Sequence, residues 1–186
     1  MMDSKKQECC TCLRCGNCCT RFGVCVTPFD IERITQATGL APMDFLDLLP
    51  EIEDREREEP WVLINGSRFL IVLKRKPNER CKFYSGNGCL MYEIRPMLCK
   101  TYPFILRNNK FTDVKSRACV ECWHPKSKEK KGYLSNLKQY KKEVSEYKKI
   151  AGKWNEKGGG SFEEFLEFMH QQHVTHQRRF TTRKCL

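Results

Sequence analysis

The stretch Cys12-Leu-Arg-Cys15-Gly-Asn-Cys18-Cys19 constrains this chain more than any other, because it sets four thiols within eight residues. A second set follows at Cys81, Cys89 and Cys99, with Cys119 and Cys122 further on. Thiolates at two-residue gaps can converge on one metal ion or cluster, since a tight turn brings their sulfurs together. Gly16 predicts such a turn: it tolerates positive φ and lets amide N–H groups approach sulfur. A chain built this way is expected to fold partly through thiolate–metal links rather than apolar burial alone.

The compartment follows from the same residues. Thirteen cysteines cannot all pair, and Met1 to Glu8 lacks the apolar core of a secretory signal. No stretch approaches the ~20 apolar residues of a membrane span. The expectation is a cytoplasmic protein without membrane attachment, whose cysteines bind metal rather than form disulfides. The net charge of +11 is uneven: residues 126–157 hold eleven Lys and four Glu, which accounts for +7. Such charge attracts nucleic acid or acidic partners in general.

Turn and capping signals divide the chain. Cys9 and Cys10 lie in a polar start. Phe22 to Val26 reads as a strand, with Cys25 as a small buried hydrophobe. Thr27-Pro28-Phe29-Asp30 opens a helix that Gly39 ends, and Pro42 to Leu49 reads as a second short helix closed by Pro50. Glu51 to Glu59 is a charged, solvated loop. Trp61–Ile64 and Phe69–Leu73 form a hairpin over Asn65-Gly66. Gly86 and Gly88 mark a turn between Cys81 and Cys89, and Pro96 opens a helical turn that presents Cys99. A second hairpin spans Phe104–Leu106 and Lys110–Val114. From Ser127 to about Lys157 a heptad stripe runs through Tyr133, Leu137, Tyr140, Val144, Tyr147, Ala151 and Trp154. Gly158–Gly160 breaks it. Ser161 caps a last helix with Phe162, Phe165, Leu166 and Met169 on its apolar face. The basic tail from Gln177 is expected to fray. The fold class is α+β: a small irregular metal-bound cysteine-cluster domain with short hairpins over 1–125, and a basic C-terminal helical pair over 126–186.

Cys12, Cys15 and Cys18 have the spacing of three ligands in a bacterial 4Fe–4S site, yet Cys19 follows at once where that pattern has a longer gap. Adjacent side chains in extended backbone point apart. Cys19 therefore either completes the first site in a distorted turn or faces a second site with Cys81, Cys89 and Cys99. Zinc accepts four thiolates as readily, so the metal is an iron–sulfur cluster or zinc, the triple favouring iron–sulfur. His124 could replace a cysteine ligand. His170, His173 and His176 read as a solvated helix end. Tyr92 and Tyr102 read as core aromatics.

The knot, followed by Gly88-Cys89-Leu-Met-Tyr92, Arg95-Pro96, Cys99 and Tyr102-Pro103-Phe104, resembles the YkgJ-type cysteine-cluster family, described as zinc- or iron-chelating or Fe–S-containing. The resemblance covers roughly 12–125 and implies ligands at Cys12, Cys15, Cys18, Cys19, Cys81, Cys89 and Cys99, then Cys119 or Cys122. Arg95 near such thiolates would offset their charge and donate to sulfur. The implied role is structural, electron-transferring or metal-handling, with an unidentified protein partner. Flagellin lysine methylases share the domain, which implies an S-adenosylmethionine-dependent methyltransferase as the alternative; no glycine-rich phosphate loop supports it here. Nucleic-acid binding through 126–157 ranks third, because that segment's aromatics lie on the apolar stripe.

Overall fold

The computed structural model describes residues 14–51, 57–114, 118 and 125–182, with side chains through 172. In chain order the elements are α1 (Asn17–Arg21), α2 (Pro28–Thr38), α3 (Pro42–Phe45), β1 (Leu46–Pro50), β2 (Val62–Ile64), β3 (Ser67–Leu73), α4 (Met97–Thr101), β4 (Phe104–Arg107), β5 (Lys110–Asp113), α5 (Ser127–Glu156) and α6 (Phe162–Thr182). The α+β class holds: two small antiparallel sheets carry strand order β1-β3-β2 and β4-β5, with the long helices at the C-terminal side.

Local chemistry explains most boundaries. Asp30 N–H donates to the Thr27 hydroxyl while Asp30 Oδ2 accepts from Thr27 N–H, so α2 begins in a reciprocal cap. Gly39 ends it at φ 71. Asn65 and Gly66, at φ 48 and 80, supply the two positive φ values that a tight hairpin turn requires between β2 and β3. Asn108 and Asn109 do the same between β4 and β5. Ser161 and Glu164 exchange hydrogen bonds at the start of α6.

Two expectations give way to tertiary pairing. Only Pro42–Phe45 of the expected 42–49 helix is helical. Leu46 to Pro50 pairs instead with β3, from Leu46 opposite Leu73 to Pro50 opposite Phe69. That register buries Leu46 against the core, a gain that a short isolated helix cannot match. Phe22 to Val26 is extended but is no strand. It touches β3 at the single bridge Cys25–Val72, beyond the end of β2 on the same edge. The charged run is not simply solvated at its described ends: Tyr140 Oη donates to Glu59 Oε1 at 2.5 Å, and Glu58 faces Lys141.

One core joins the two halves. Val26, Ile31, Ile34, Phe45 and Leu73 pack with Cys81, Phe83 and Met91, and with Tyr147, Ile150, Trp154 and Phe165. The heptad stripe of α5 is the buried face, so Tyr140, Tyr147 and Trp154 are enclosed. Trp154 Nε1–H donates to the Leu63 carbonyl at 2.8 Å, and Leu63 N–H donates to Asn155 at 2.8 Å, fastening α5 to the first hairpin. Among the described residues no helix is long and apolar enough to cross a membrane. The tail keeps a helical backbone to Thr182.

Candidate metal centre

Backbone geometry builds the site before any side chain does. Gly16 lies in the left-handed region at φ 78 and opens α1, which carries Cys18 and Cys19. A Cβ on Gly16 would run into the Tyr84 ring, so the position needs glycine twice over. The Tyr84 hydroxyl lies 3.3 Å from the Cys15 carbonyl and donates to the Gly86 carbonyl at 2.9 Å. The Cys81 N–H donates to the Cys19 carbonyl at 2.8 Å and so ties the first cysteine block to the second. Bridges Arg75–Cys81 and Tyr84–Cys89 fix the turn between those two thiols, in which Gly86 and Gly88 both have positive φ. Cys99 sits in the middle of α4, behind Pro96 at its start.

Five described thiols come within electrostatic reach of one another. Cys18 and Cys19 have sulfurs 4.0 Å apart. The hydrogen bond shared with Cys19 pulls the Cys18 thiol down to about 7, with Arg95 contributing. The same bond pushes Cys19 up, as do burial and the charges of Cys18, Cys81 and Cys99. Burial raises Cys81, and Cys89 and Cys18 add to it. Cys99 is raised well above its usual value, by burial first and then by Cys18, Cys81, Cys89 and Asp30. One thiol ionises readily and its neighbours resist, because like charges gathered in a low-dielectric pocket disfavour each other. A bound cation removes that conflict, so the donor set suits a thiophilic metal. Among the described residues no three Cys, His, Asp or Glu side chains are already drawn together as a metal site.

The other sequence-predicted residues fall as follows. Cys15 is exposed at the edge of the cluster. Cys12, Cys119, Cys122 and His124 lie outside the described residues, as do Cys9 and Cys10. Cys25 is buried away from the cluster, with Arg57 donating to its sulfur at 3.5 Å, and burial pushes its thiol up to about 12. His170 is exposed on α6. Tyr92 is not a core aromatic. It is half-buried between two guanidinium groups, Arg14 at 3.9 Å and Arg95 at 3.7 Å from its ring centroid. Arg95 also donates to the Tyr92 carbonyl at 3.0 Å. Tyr102 is half-buried as well, its ring 5.5 Å from Phe22 and its hydroxyl accepting from Ala118 N–H.

A family model for CxxCxxCC, a "putative zinc- or iron-chelating domain", matches residues 10–120, more than half of the chain. The chain belongs to the CxxCxxCC family. Its name is written literally in Cys12-Leu-Arg-Cys15-Gly-Asn-Cys18-Cys19. No curated protein and no solved structure matches the chain. Membership carries metal chelation as the general property of the domain, and the thiols within electrostatic reach of one another are its chemical counterpart here. Sequence reasoning missed Tyr84, Arg14 and the polar residues beneath Cys99. No local pattern marks their part in the site, since the contacts that join them to it cross long stretches of chain.

Proposed function

We propose that this protein is a metal-handling carrier whose two cysteine blocks hold a thiolate-ligated centre, an iron–sulfur cluster of the 4Fe–4S type or zinc. The observation that carries the reading is the backbone bond from Cys81 to Cys19, which ties the first block to the second, with the Cys81 and Cys99 thiols close enough to act on Cys19. It favours Cys19 facing that second set over Cys19 completing a site within the first block. Cys12, Cys15 and Cys18 keep the iron–sulfur spacing at its side. The matched segment contains Cys119 and stops short of Cys122, which favours Cys119 as the last ligand. Arg95 lowers the charge cost of ionising Cys18. Exposed Cys15 offers a point of metal entry or exchange. Zinc would supply a tetrahedral link without redox chemistry, an iron–sulfur cluster one-electron transfer. Thiols poised this way belong in a reducing compartment such as the cytoplasm.

Anaerobic purification with metal analysis and a visible spectrum tests the proposal. Stoichiometric metal is expected, with a broad visible absorption for iron–sulfur and none for zinc. Cys15→Ser combined with Cys89→Ser should reduce the metal content. Metal-free protein that folds normally, with these thiols freely titratable, would sink the idea.

A further inference from the structure

Beneath Cys99 lies a buried polar cluster that the sequence reading did not anticipate. Asp30 and Glu143 have side chains 0% and 1% exposed. Arg33 reaches both: its Nη2 lies 2.5 Å from Asp30 Oδ1 and 2.9 Å from Glu143 Oε2, and its Nη1 lies 2.8 Å from Glu143 Oε1. The Thr27 hydroxyl stands 2.9 Å from Asp30 Oδ2 and 3.2 Å from Glu143 Oε2. Gln139 donates to Glu143 Oε1 at 3.0 Å. The cluster ends on the backbone of α4, where Met97 N–H donates to Asp30 Oδ1 at 2.9 Å. Cys99 is two residues further along.

We propose that Asp30, Arg33 and Glu143 are positioning residues that set the direction of Cys99 toward the metal centre, and so make α5 part of that centre's apparatus. The inference rests on the metal-carrier reading above. Two physical arguments support it. A five-residue helix cannot fix its own orientation, because nucleation is costly and α4 has too few turns to repay it. Met97 packs with Tyr140 and Val144, and Leu98 and Cys99 pack against the main core, but these apolar contacts are non-directional. The Asp30 hydrogen bond to the Met97 N–H adds a directional tie at the start of α4. A buried ion pair, moreover, adds little net stability compared with apolar packing of the same volume. What it adds is direction, and the group it directs carries Cys99. Glu143 lies beyond the family's matched segment, so this chain supplies from its own C-terminal helix a support for a thiol in the shared core.

The test uses the full chain, purified anaerobically with its native metal, and a chelator titration of wild type, Glu143→Gln, Asp30→Ala and Ile150→Ala. Ile150 is buried on the same helix and takes no part in the ionic cluster, so its variant reports destabilisation alone. Glu143→Gln and Asp30→Ala should lose metal at about 10- to 100-fold lower chelator concentration, the usual effect of removing support behind a ligand. Ile150→Ala should lose stability and keep wild-type retention. In the metal-free proteins Cys99 should be alkylated faster in Glu143→Gln than in wild type or Ile150→Ala, a readout that needs no metal. Unchanged retention and alkylation in Glu143→Gln, with stability lowered, would show the cluster to be structural only. Should Asp30→Ala fail to fold, Glu143→Gln decides. Wild type that carries no metal would overturn the carrier reading itself.

Discussion

The thiol region, 14–21 and 75–101, and the helical region, 127–172, reach order by opposite means. In the first, α1 and α4 are five residues each and α1 buries none of them; the rest is turns and isolated bridges. In the second, one helix of 30 residues buries eight side chains along a single stripe. Helices below about 12 residues are marginal by themselves, so the thiol region depends on cross-links: the Cys81–Cys19 backbone bond, the Tyr84 hydroxyl and the Asp30 carboxylate. The helical region depends on area removed from water. The difference shows that a short-element domain can borrow its rigidity from a long helix that packs beneath it.

The largest effect is expected where burial does the holding. Trp154 is 3% exposed and packs edge-on against Phe165 at 5.4 Å. Trp154→Ala should cost about 3–5 kcal/mol in chemical denaturation, equally with and without metal. A cost confined to the metal-loaded form would erase the contrast between the regions. Metal withdrawal comes next. At free metal 100-fold above the dissociation constant, binding adds about 2.7 kcal/mol, and chelation should remove it. Hydrogen exchange should then rise through 14–21 and 75–101 while amides of α5 stay protected; uniform loss of protection would show a single cooperative unit instead.

Gly16→Ala should cost at least about 1–2 kcal/mol from left-handed backbone alone and should also deplete the metal, because the new Cβ meets the Tyr84 ring. Gly39→Ala, equally left-handed at φ 71 but open around its Cβ, should show the backbone cost with metal content intact. Equal metal loss in both would remove Tyr84 from the site. The smallest effect is alkaline. An unfolded thiol ionises near its usual 9.0, whereas folded Cys25 holds its proton to about 12. Between those values the folded state binds more protons, so stability falls as pH rises, by up to about 1.4 kcal/mol per unit. By pH 10 the loss attributable to Cys25 should be about 1.4 kcal/mol, and Cys25→Ala should lessen the slope in melts between pH 8 and 10, the raised Cys81 and Cys99 thiols keeping the rest.

Much of the local structure was legible because its cause is local. Thr27 with Asp30 announces a helix start, Asn65-Gly66 a hairpin, and Ser161 with Glu164 another start, each within four residues. The 42–49 segment was half legible: Pro42 starts a helix as read, but pairing with β3 decides what Leu46 to Pro50 become. The candidate site divides the same way. Clustered spacing marks Cys18 and Cys19, whereas their approach to Cys81, Cys89 and Cys99 depends on tertiary closure. Asp30 read as an ordinary first-turn acid, and Glu143 as one charge in a basic helix. Arg33 stands three residues from Asp30, a local helix pair, but nothing near either residue in sequence shows that Glu143 closes the cluster.

The hydrogen bond between Thr27 and Glu143 spans 116 residues of sequence. Cys18, Cys81 and Cys99 therefore all leave the ribosome before Glu143 does. A nascent chain at that stage holds its thiols without their directing support, in competition with oxidants and stray metal ions. Thiol pulse-labelling of stalled nascent chains should find Cys99 protected only once residue 143 has cleared the exit tunnel. Non-local closure of this kind also slows folding, so the window is set by the last third of the message rather than by the cysteines themselves.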